Sequence, residues 1–138
     1  IWQTGGTTYQ EFTKIHNGTP GLFMFDFHPG LKQMMNLADL AITRAGAMTI
    51  AELEATQLPA ILIPLPTAAE NHQYFNAIAQ QQKGCASLLK QSDLNSSTLL
   101  STIEALDLAS MKQKLMALPP NHATGLIIDD ILNLTRSR

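Results

Sequence analysis

The residues best placed to do chemistry stand in the run Thr43-Arg44-Ala45-Gly46-Ala47-Met48-Thr49-Ile50-Ala51-Glu52. It follows the apolar run Leu40-Ala41-Ile42 and leads into a helix-like run, Ile50 to Gln57. Read as strand, turn and helix, it brings a ligand close to the backbone, because Ala45, Gly46 and Ala47 carry almost no side chain. A helix start offers unpaired N–H groups and the positive end of a dipole, which suits phosphate. Thr49 adds a hydroxyl there, and Glu52, one turn on, is an acceptor of the kind that holds ribose hydroxyls. The same Thr49-x-x-Glu52 spacing also fits a capping box, in which both side chains serve the helix's own N–H groups. The local sequence leaves both readings open.

A second polar group lies in Thr67-Ala68-Ala69-Glu70-Asn71-His72-Gln73-Tyr74-Phe75-Asn76-Ala77. His72, Gln73 and Asn76 crowd one end and one side of a helix. An amide both donates and accepts, so Gln73 and Asn76 suit a sugar with several hydroxyls. Solvated amides on a polar helix start are the plainer alternative.

The elements that must position these groups alternate. Ile1-Trp2-Gln3 reads as a strand end stopped by Thr4-Gly5-Gly6, and Thr7 to His16 as a helix capped by Thr7 or Thr8. Asn17 to Gly21 is a cluster of turn residues. Leu22 to Phe25 is a short buried strand, His28-Pro29-Gly30 a break, and Leu31 to Leu37 a helix with Leu31, Met34, Met35 and Ala38 on one face. Asp39 to Ile42 is the next strand. Ala60 to Ile63 is a continuous apolar run, typical of a strand covered on both faces, and is stopped by Pro64-Leu65-Pro66. Thr67 to Gln82 is a loop leading into a helix that packs through Tyr74, Phe75, Ile78 and Ala79. Gly84 to Leu89 is a last strand, and residues 90–97 form a polar loop. Helices are expected over Leu99 to Leu106, Ala109 to Leu118 and Ala123 to Thr135, the last with Leu126, Ile127, Asp130, Ile131 and Leu134 in helical spacing. This alternation predicts an α/β domain built on a parallel, doubly wound, Rossmann-like sheet with helices on both faces. In such sheets ligands sit at the carboxyl ends of the strands. Thr4 to Gly6, Phe27-His28, Arg44 to Thr49 and Pro66 to Asn76 all lie there.

Composition narrows the classes. The 138 residues suit one domain with a real core, and 45% hydrophobic against 14% charged residues excludes a disordered chain. A net charge of −2 without a basic cluster argues against a nucleic-acid partner. The single cysteine, Cys85, gives no disulfide framework. His16, His28, His72 and His122 lack ligand spacing, no Asp-x-Asp is present, and Asp129-Asp130 read as solvated or capping residues, so no metal and no cofactor are expected. No apolar run reaches the ~20 residues of a membrane span. The chain opens on Ile1 inside a strand-like run, which suggests a piece of a longer protein.

The order Ala38-Asp39-Leu40-Ala41-Ile42-Thr43-Arg44-Ala45-Gly46-Ala47-Met48-Thr49-Ile50-Ala51-Glu52, then Leu58-Pro59-Ala60-Ile61-Leu62-Ile63-Pro64-Leu65-Pro66, then Glu70-Asn71-His72-Gln73-Tyr74-Phe75-Asn76-Ala77, resembles the MurG family of bacterial glycosyltransferases. The resemblance runs from Trp2-Gln3-Thr4-Gly5 to about Leu89 and weakens in the last helices. It implies the C-terminal, donor-binding half of a two-domain GT-B fold, covering residues 1–138. The family moves N-acetylglucosamine from UDP-N-acetylglucosamine to lipid I, giving lipid II for peptidoglycan, with inversion. Residue by residue, the resemblance implies that Glu52 binds the ribose of UDP. Ala47, Met48 and Thr49 contact the diphosphate and sugar. Gln73 and Asn76 read the sugar hydroxyls, with His72 beside them. Phe27 and His28 flank the uracil, which is read mainly by backbone. Arg44 matches a recurrent arginine without an assigned step.

The family's glycine-rich loop and its strand should precede Ile1, and the N-terminal acceptor domain with its general base is absent too. That leaves a sheet edge or gap open, predicts a marginally stable, inactive fragment, and places lipid I and the cytoplasmic face of the inner membrane as partners of the whole enzyme only. The competing readings are another UDP-sugar glycosyltransferase, a non-catalytic nucleotide-sugar or partner module, and a dinucleotide-binding domain. The last lacks Gly-x-Gly-x-x-Gly after a strand.

Overall fold

The computed structural model describes residues 1–68, 71–119 and 123–136. Strands and helices alternate as β1 (Trp2–Gln3), α1 (Gly6–His16), β2 (Met24–Phe25), α2 (Leu31–Met35), β3 (Ala41–Thr43), α3 (Ala47–Thr56), β4 (Ala60–Leu62), α4 (His72–Gln82) and β5 (Ala86–Leu88). A 3-10 turn, Gln91–Asp93, then leads to α5 (Ser96–Glu104), α6 (Leu108–Met116) and α7 (Ala123–Arg136).

Every strand pairing is parallel, as expected, but the ladder is parted in two. β1 pairs with β2, and β3, β4 and β5 form a separate sheet in that order. Among the described residues no pairing joins the two ladders. β4 is central and all three of its residues are buried, because each face of the strand meets a different layer. Ala60 and Leu62 point to a cluster with Ala45, Leu53 and Leu58 around α3 and Ala77 of α4, edged by Met35 at the end of α2 and Ala38 beyond it. Ile61 points the other way, to Ile63, Leu89, Leu99 and Leu106 at α5. Period-two alternation thus feeds helices on both faces of the larger sheet, which explains the unbroken apolar run of β4. Away from β4 the strands are less covered than their apolar sequences suggest. Trp2 and Gln3 are exposed, and so is Ile42 in the middle of β3.

Both core helices end in the same device. At α4, Gly84 takes φ +70°, Cys85 N–H donates to Gln80 O at 3.0 Å and Gly84 N–H to Gln81 O at 2.8 Å. At α3, Gln57 takes φ 53°, Leu58 N–H reaches Leu53 O at 3.0 Å and Gln57 N–H reaches Glu54 O at 3.2 Å. These are Schellman caps, and the second is sealed by Leu58 against Leu53 in the core.

Two expectations are corrected here. α1 is capped by Gly5 at φ 78° with no side-chain cap, not by Thr7 or Thr8, and the Thr8 hydroxyl donates back to Thr4 O instead. α4 packs through Ala77 and Gln80; Phe75 is 62% exposed and Ala79 is exposed, because the helix is rotated to bring Gln80 onto Glu54 at 2.8 Å. The helix expected over Ala123 to Thr135 forms as α7, and its Leu126, Ile127, Ile131 and Leu134 are exposed.

Candidate functional site

The turn before α3 forms because Gly46 is extended, at φ −69° and ψ 149°, and α3 starts at Ala47. Thr49 is therefore the third helical residue, not the cap, and no side chain caps the helix. The capping box left open by the sequence does not form at Thr49 and Glu52. It forms instead at α5, where Asn95 and Thr98 bond each other's backbone N–H, both at 3.0 Å. The first-turn N–H groups of α3 thus stand at an uncapped helix start that presents the positive end of its dipole. Ala47 and Met48 are exposed there, Met48 at 77%. Glu52 is exposed as well, and among the described residues no hydrogen bond or ion pair engages its carboxylate.

The second group is tied to the first. The Asn76 side chain donates through Nδ2 to Ala45 O at 3.1 Å, and Ala45 is 0% exposed. A carbonyl only accepts, so this contact orients the amide and turns Asn76 Oδ1 away from the turn. Gln73 is oriented by the opposite logic. Its Oε1 accepts from Leu65 N–H at 3.0 Å, which leaves the Nε2 group as a donor. Of two equivalent amides, one is set to accept and the other to donate. His72 is exposed on the same first turn of α4.

Arg44 builds the floor. Its Nη1 donates to Ile63 O at 3.1 Å, Pro64 O at 3.4 Å and Gln91 Oε1 at 2.7 Å. The guanidinium thereby ties together the carboxyl ends of β3 and β4 and the loop after β5. Sequence reasoning left this residue without a role; the signal was an arginine at the end of β3 beside β4, which runs into Pro64, a residue with a carbonyl but no N–H.

Phe27 and His28 lie at the carboxyl end of β2, in the smaller ladder. Phe27 is 71% exposed, and its N–H donates to Asp26 Oδ1 at 2.7 Å. His28 shapes its own loop. Its Nδ1 accepts from Gly30 N–H at 3.0 Å, its backbone N–H donates to Gln3 Oε1 at 3.1 Å, and its ring packs on Phe25. The structure thus ties Asn76 to Ala45, just ahead of α3, and Gln73 to Leu65, just after β4, while His28 is held to Gln3 in the smaller ladder and Phe27 only to Asp26 beside it.

Among the described residues no group of three or more His, Cys, Asp or Glu stands together as metal ligands. Burial at 2% exposure pushes the Cys85 thiol up, against the smaller pull of Lys83 and Lys114 and with the help of the Glu54 carboxylate. No helix among the described residues is long and apolar enough to cross a membrane.

Parallel strands, helices on both faces and polar groups gathered at the carboxyl ends define a Rossmann-like α/β ligand-binding domain. Comparison with known proteins narrows this. Residues 1–127 match the glycosyltransferase family 28 C-terminal domain, and the chain belongs to that family. A relative from Carboxydothermus hydrogenoformans, named UDP-N-acetylglucosamine--N-acetylmuramyl-(pentapeptide) pyrophosphoryl-undecaprenol N-acetylglucosamine transferase, is 36% identical over 98% of this chain and 36% of its own length. A protein of the same name from Campylobacter jejuni is 40% identical over 81% of this chain and 33% of its own. The chain thus spans about a third of the curated relatives it matches. The crystal structure of Acinetobacter baumannii MurG superposes with a TM-score of 0.81 at 26% identity, over 96% of this chain and 41% of that one. The glycosyltransferase VinC, solved with dTDP, shares the fold, with a TM-score of 0.65 at 16% identity over 87% of this chain and 31% of that one. The α/β fold class expected from the sequence is that of these glycosyltransferases.

Proposed function

We propose that this chain is the donor-binding domain of an N-acetylglucosaminyltransferase. The enzyme would move N-acetylglucosamine from UDP-N-acetylglucosamine to N-acetylmuramyl-(pentapeptide) pyrophosphoryl-undecaprenol (lipid I), forming lipid II. The observation that carries this reading is the bond from Asn76 to Ala45 O, which joins a helix start suited to phosphate to a helix start suited to sugar. The names of the curated relatives supply the donor and acceptor.

In this reading Glu52, one turn along the same helix, accepts from the ribose hydroxyls. The N–H groups at Ala47, Met48 and Thr49 hold the diphosphate. As the glycosidic bond breaks, negative charge grows on the departing UDP, and the uncapped start of α3 stabilises it where it develops. Gln73 donates to the sugar and Asn76 accepts from it, with His72 at the rim. Phe27 and His28 border the uracil. The acceptor hydroxyl attacks from the opposite face in a single inverting displacement. The base that takes its proton belongs to an acceptor domain outside this chain. The whole enzyme would work at the cytoplasmic face of the inner membrane, where its lipid acceptor lies. The parting of the ladder between β1–β2 and β3–β5 supports a place for one further strand, which would carry the glycine-rich loop.

The test is calorimetric titration with UDP-N-acetylglucosamine and UDP-glucose, on the parent chain and on Glu52→Ala. The expected result is binding that favours the N-acetylated sugar and weakens about tenfold or more in Glu52→Ala, as for a lost charge-assisted hydrogen bond. Equal binding by parent and variant would remove Glu52 from the site. A folded chain that binds neither sugar is to be retested as the full-length enzyme. Failure there would overturn the reading.

A further inference from the structure

A cavity of about 430 Å³ opens between the loop after β4 and the loop after β5. It takes no part in the donor site as assigned above. One wall is apolar, formed by Pro64, Leu65, Pro66 and the ring of Tyr74. The lining also carries Asn71, Lys90, Gln91 and Ser92. The Lys90 ammonium stands 5.7 Å over the Tyr74 ring, a cation–π contact that holds it at the mouth. No carboxylate among the described residues pairs with it; the nearest in sequence, Asp93, accepts from the Ser92 hydroxyl at 2.9 Å.

This cavity is built, and it adjoins the donor site. Arg44 clamps its two walls by bonding Pro64 O on one and Gln91 Oε1 on the other. Leu65, in the apolar wall, donates its N–H to Gln73, the amide assigned to the sugar. A group lying in the cavity is therefore one residue away from the sugar that is transferred.

We propose that this cavity is a subsite for the peptide carboxylate of the acceptor, with Lys90 as the counter-charge; the inference rests on the function proposed above. The chemistry favours a carboxylate over the acceptor's pyrophosphoryl group. One ammonium against an apolar wall matches a single negative charge on an otherwise apolar chain end. A pyrophosphate needs several cations or a row of N–H donors. The proline wall and the Tyr74 ring suit the small apolar side chains of a peptide end.

The experiment uses the full-length enzyme with UDP-N-acetylglucosamine and two acceptors, one ending in a peptide acid and one in the carboxamide. Lys90 lies on the surface, so its substitution leaves the core untouched. The expected result is that Lys90→Met raises the acceptor KM for the acid about tenfold, the size of one charge-assisted contact. The donor KM serves as internal reference, and Lys90→Arg restores the parent value. With the carboxamide the parent enzyme already shows the raised KM, and Lys90→Met adds nothing. An unchanged KM for the acid overturns the proposal. So does an equal rise with both acceptors, which would assign Lys90 to the pyrophosphate. A parent enzyme that binds no donor in the titration overturns the functional reading itself, a result distinct from either of these.

Discussion

Removing the Asn76 amide tests whether the turn before α3 is held from α4. In Asn76→Ala the bond from Nδ2 to Ala45 O is lost, and the carbonyl of a residue with 0% exposure loses a donor. A typical intramolecular hydrogen bond contributes about 1 kcal/mol net, and a buried carbonyl left short costs about 1–3 kcal/mol. Alanine returns roughly 0.5 kcal/mol through its better helix propensity. The net loss is therefore about 1–2 kcal/mol, which for a domain of this size lowers Tm by about 3–8 °C. Thermal unfolding without ligand measures that part. Calorimetric titration with UDP-N-acetylglucosamine measures the second part, where on the proposed function the variant loses both an acceptor for the sugar and the fixed turn for the diphosphate. Binding is expected to fall by about tenfold to a hundredfold, one to two contacts' worth. Asn76→Asp separates the two roles. It keeps an acceptor oxygen but presents a second oxygen to Ala45 O, so it destabilises at least as much as alanine. A ligand-free Tm for Asn76→Ala within about 1 °C of the parent would refute the reasoning, since the tie would then contribute nothing measurable.

Two further perturbations read the scaffold. Gln57 closes α3 at φ 53°, a conformation that costs a non-glycine residue about 1–2 kcal/mol, against the roughly 0.5–1 kcal/mol of extra chain entropy that glycine loses on folding. Gln57→Gly should therefore stabilise the chain by about 0.5–1 kcal/mol in denaturant titration without changing donor binding, and a lower midpoint would show that the side chain matters more than the backbone. Cys85 carries a thiol whose folded value is raised by burial. The folded state thus keeps a proton that the unfolded chain gives up at the ordinary thiol range near about pH 8.5. The associated stability is complete below that range and is lost as pH rises from it through the folded value. Tm measured across that window should fall in the parent and fall less in Cys85→Ala; parallel curves for the two would remove the thiol as the cause.

The sequence was most legible where one residue type satisfies one demand. The apolar run Ala60 to Ile63 could only be a doubly covered strand, and it is the buried centre of the larger sheet. The breaks at Gly5, Gly30 and Gly46 each fall immediately before a helix. It was least legible where two partners compete for the same group. Thr49 and Glu52 have the spacing of a capping box, but Gly46 lets α3 begin two residues before Thr49, at Ala47, and leaves both side chains unneeded by the helix. Phe75 looks like a core residue by type, yet the rotation of α4 is set by the polar Gln80, which reaches Glu54 while Glu54 also binds Lys83 at 3.1 Å. Helical spacing in α7 was visible, but spacing alone does not say whether a face has anything to cover it. Nor does apolar composition reveal that the ladder parts between β2 and β3, because pairing partners are not written in a strand's own residues.

The candidate site is organised by backbone carbonyls as much as by its polar side chains. Arg44 gathers the carbonyls of Ile63 and Pro64, Asn76 takes that of Ala45, and Gln73 takes the N–H of Leu65. Each of these bonds crosses between segments more than seven residues apart, so each fixes one strand end against another element rather than stabilising a local turn. The amides are divided between two tasks: one half of each is bound to the frame, and the other half faces outward with a defined sense, acceptor at Asn76 and donor at Gln73. An amide free to flip would present either sense to a hydroxyl and discriminate poorly between epimers. One whose orientation is set by a carbonyl or an N–H leaves a mismatched hydroxyl facing a group of its own kind, and an unpaired polar contact in a closed site costs more than a good one gains. On the proposed function, selectivity between sugars that differ in a single hydroxyl therefore depends on the frame bonds. Exchanging the two amides, as Gln73→Asn with Asn76→Gln, would keep every functional group and still break both frame contacts. On the proposed function it should erase the preference between UDP-sugars and weaken the binding of both, as Asn76→Ala does, and a retained preference in titrations with both sugars would show that the sense of the amides is set by the ligand and not by the fold.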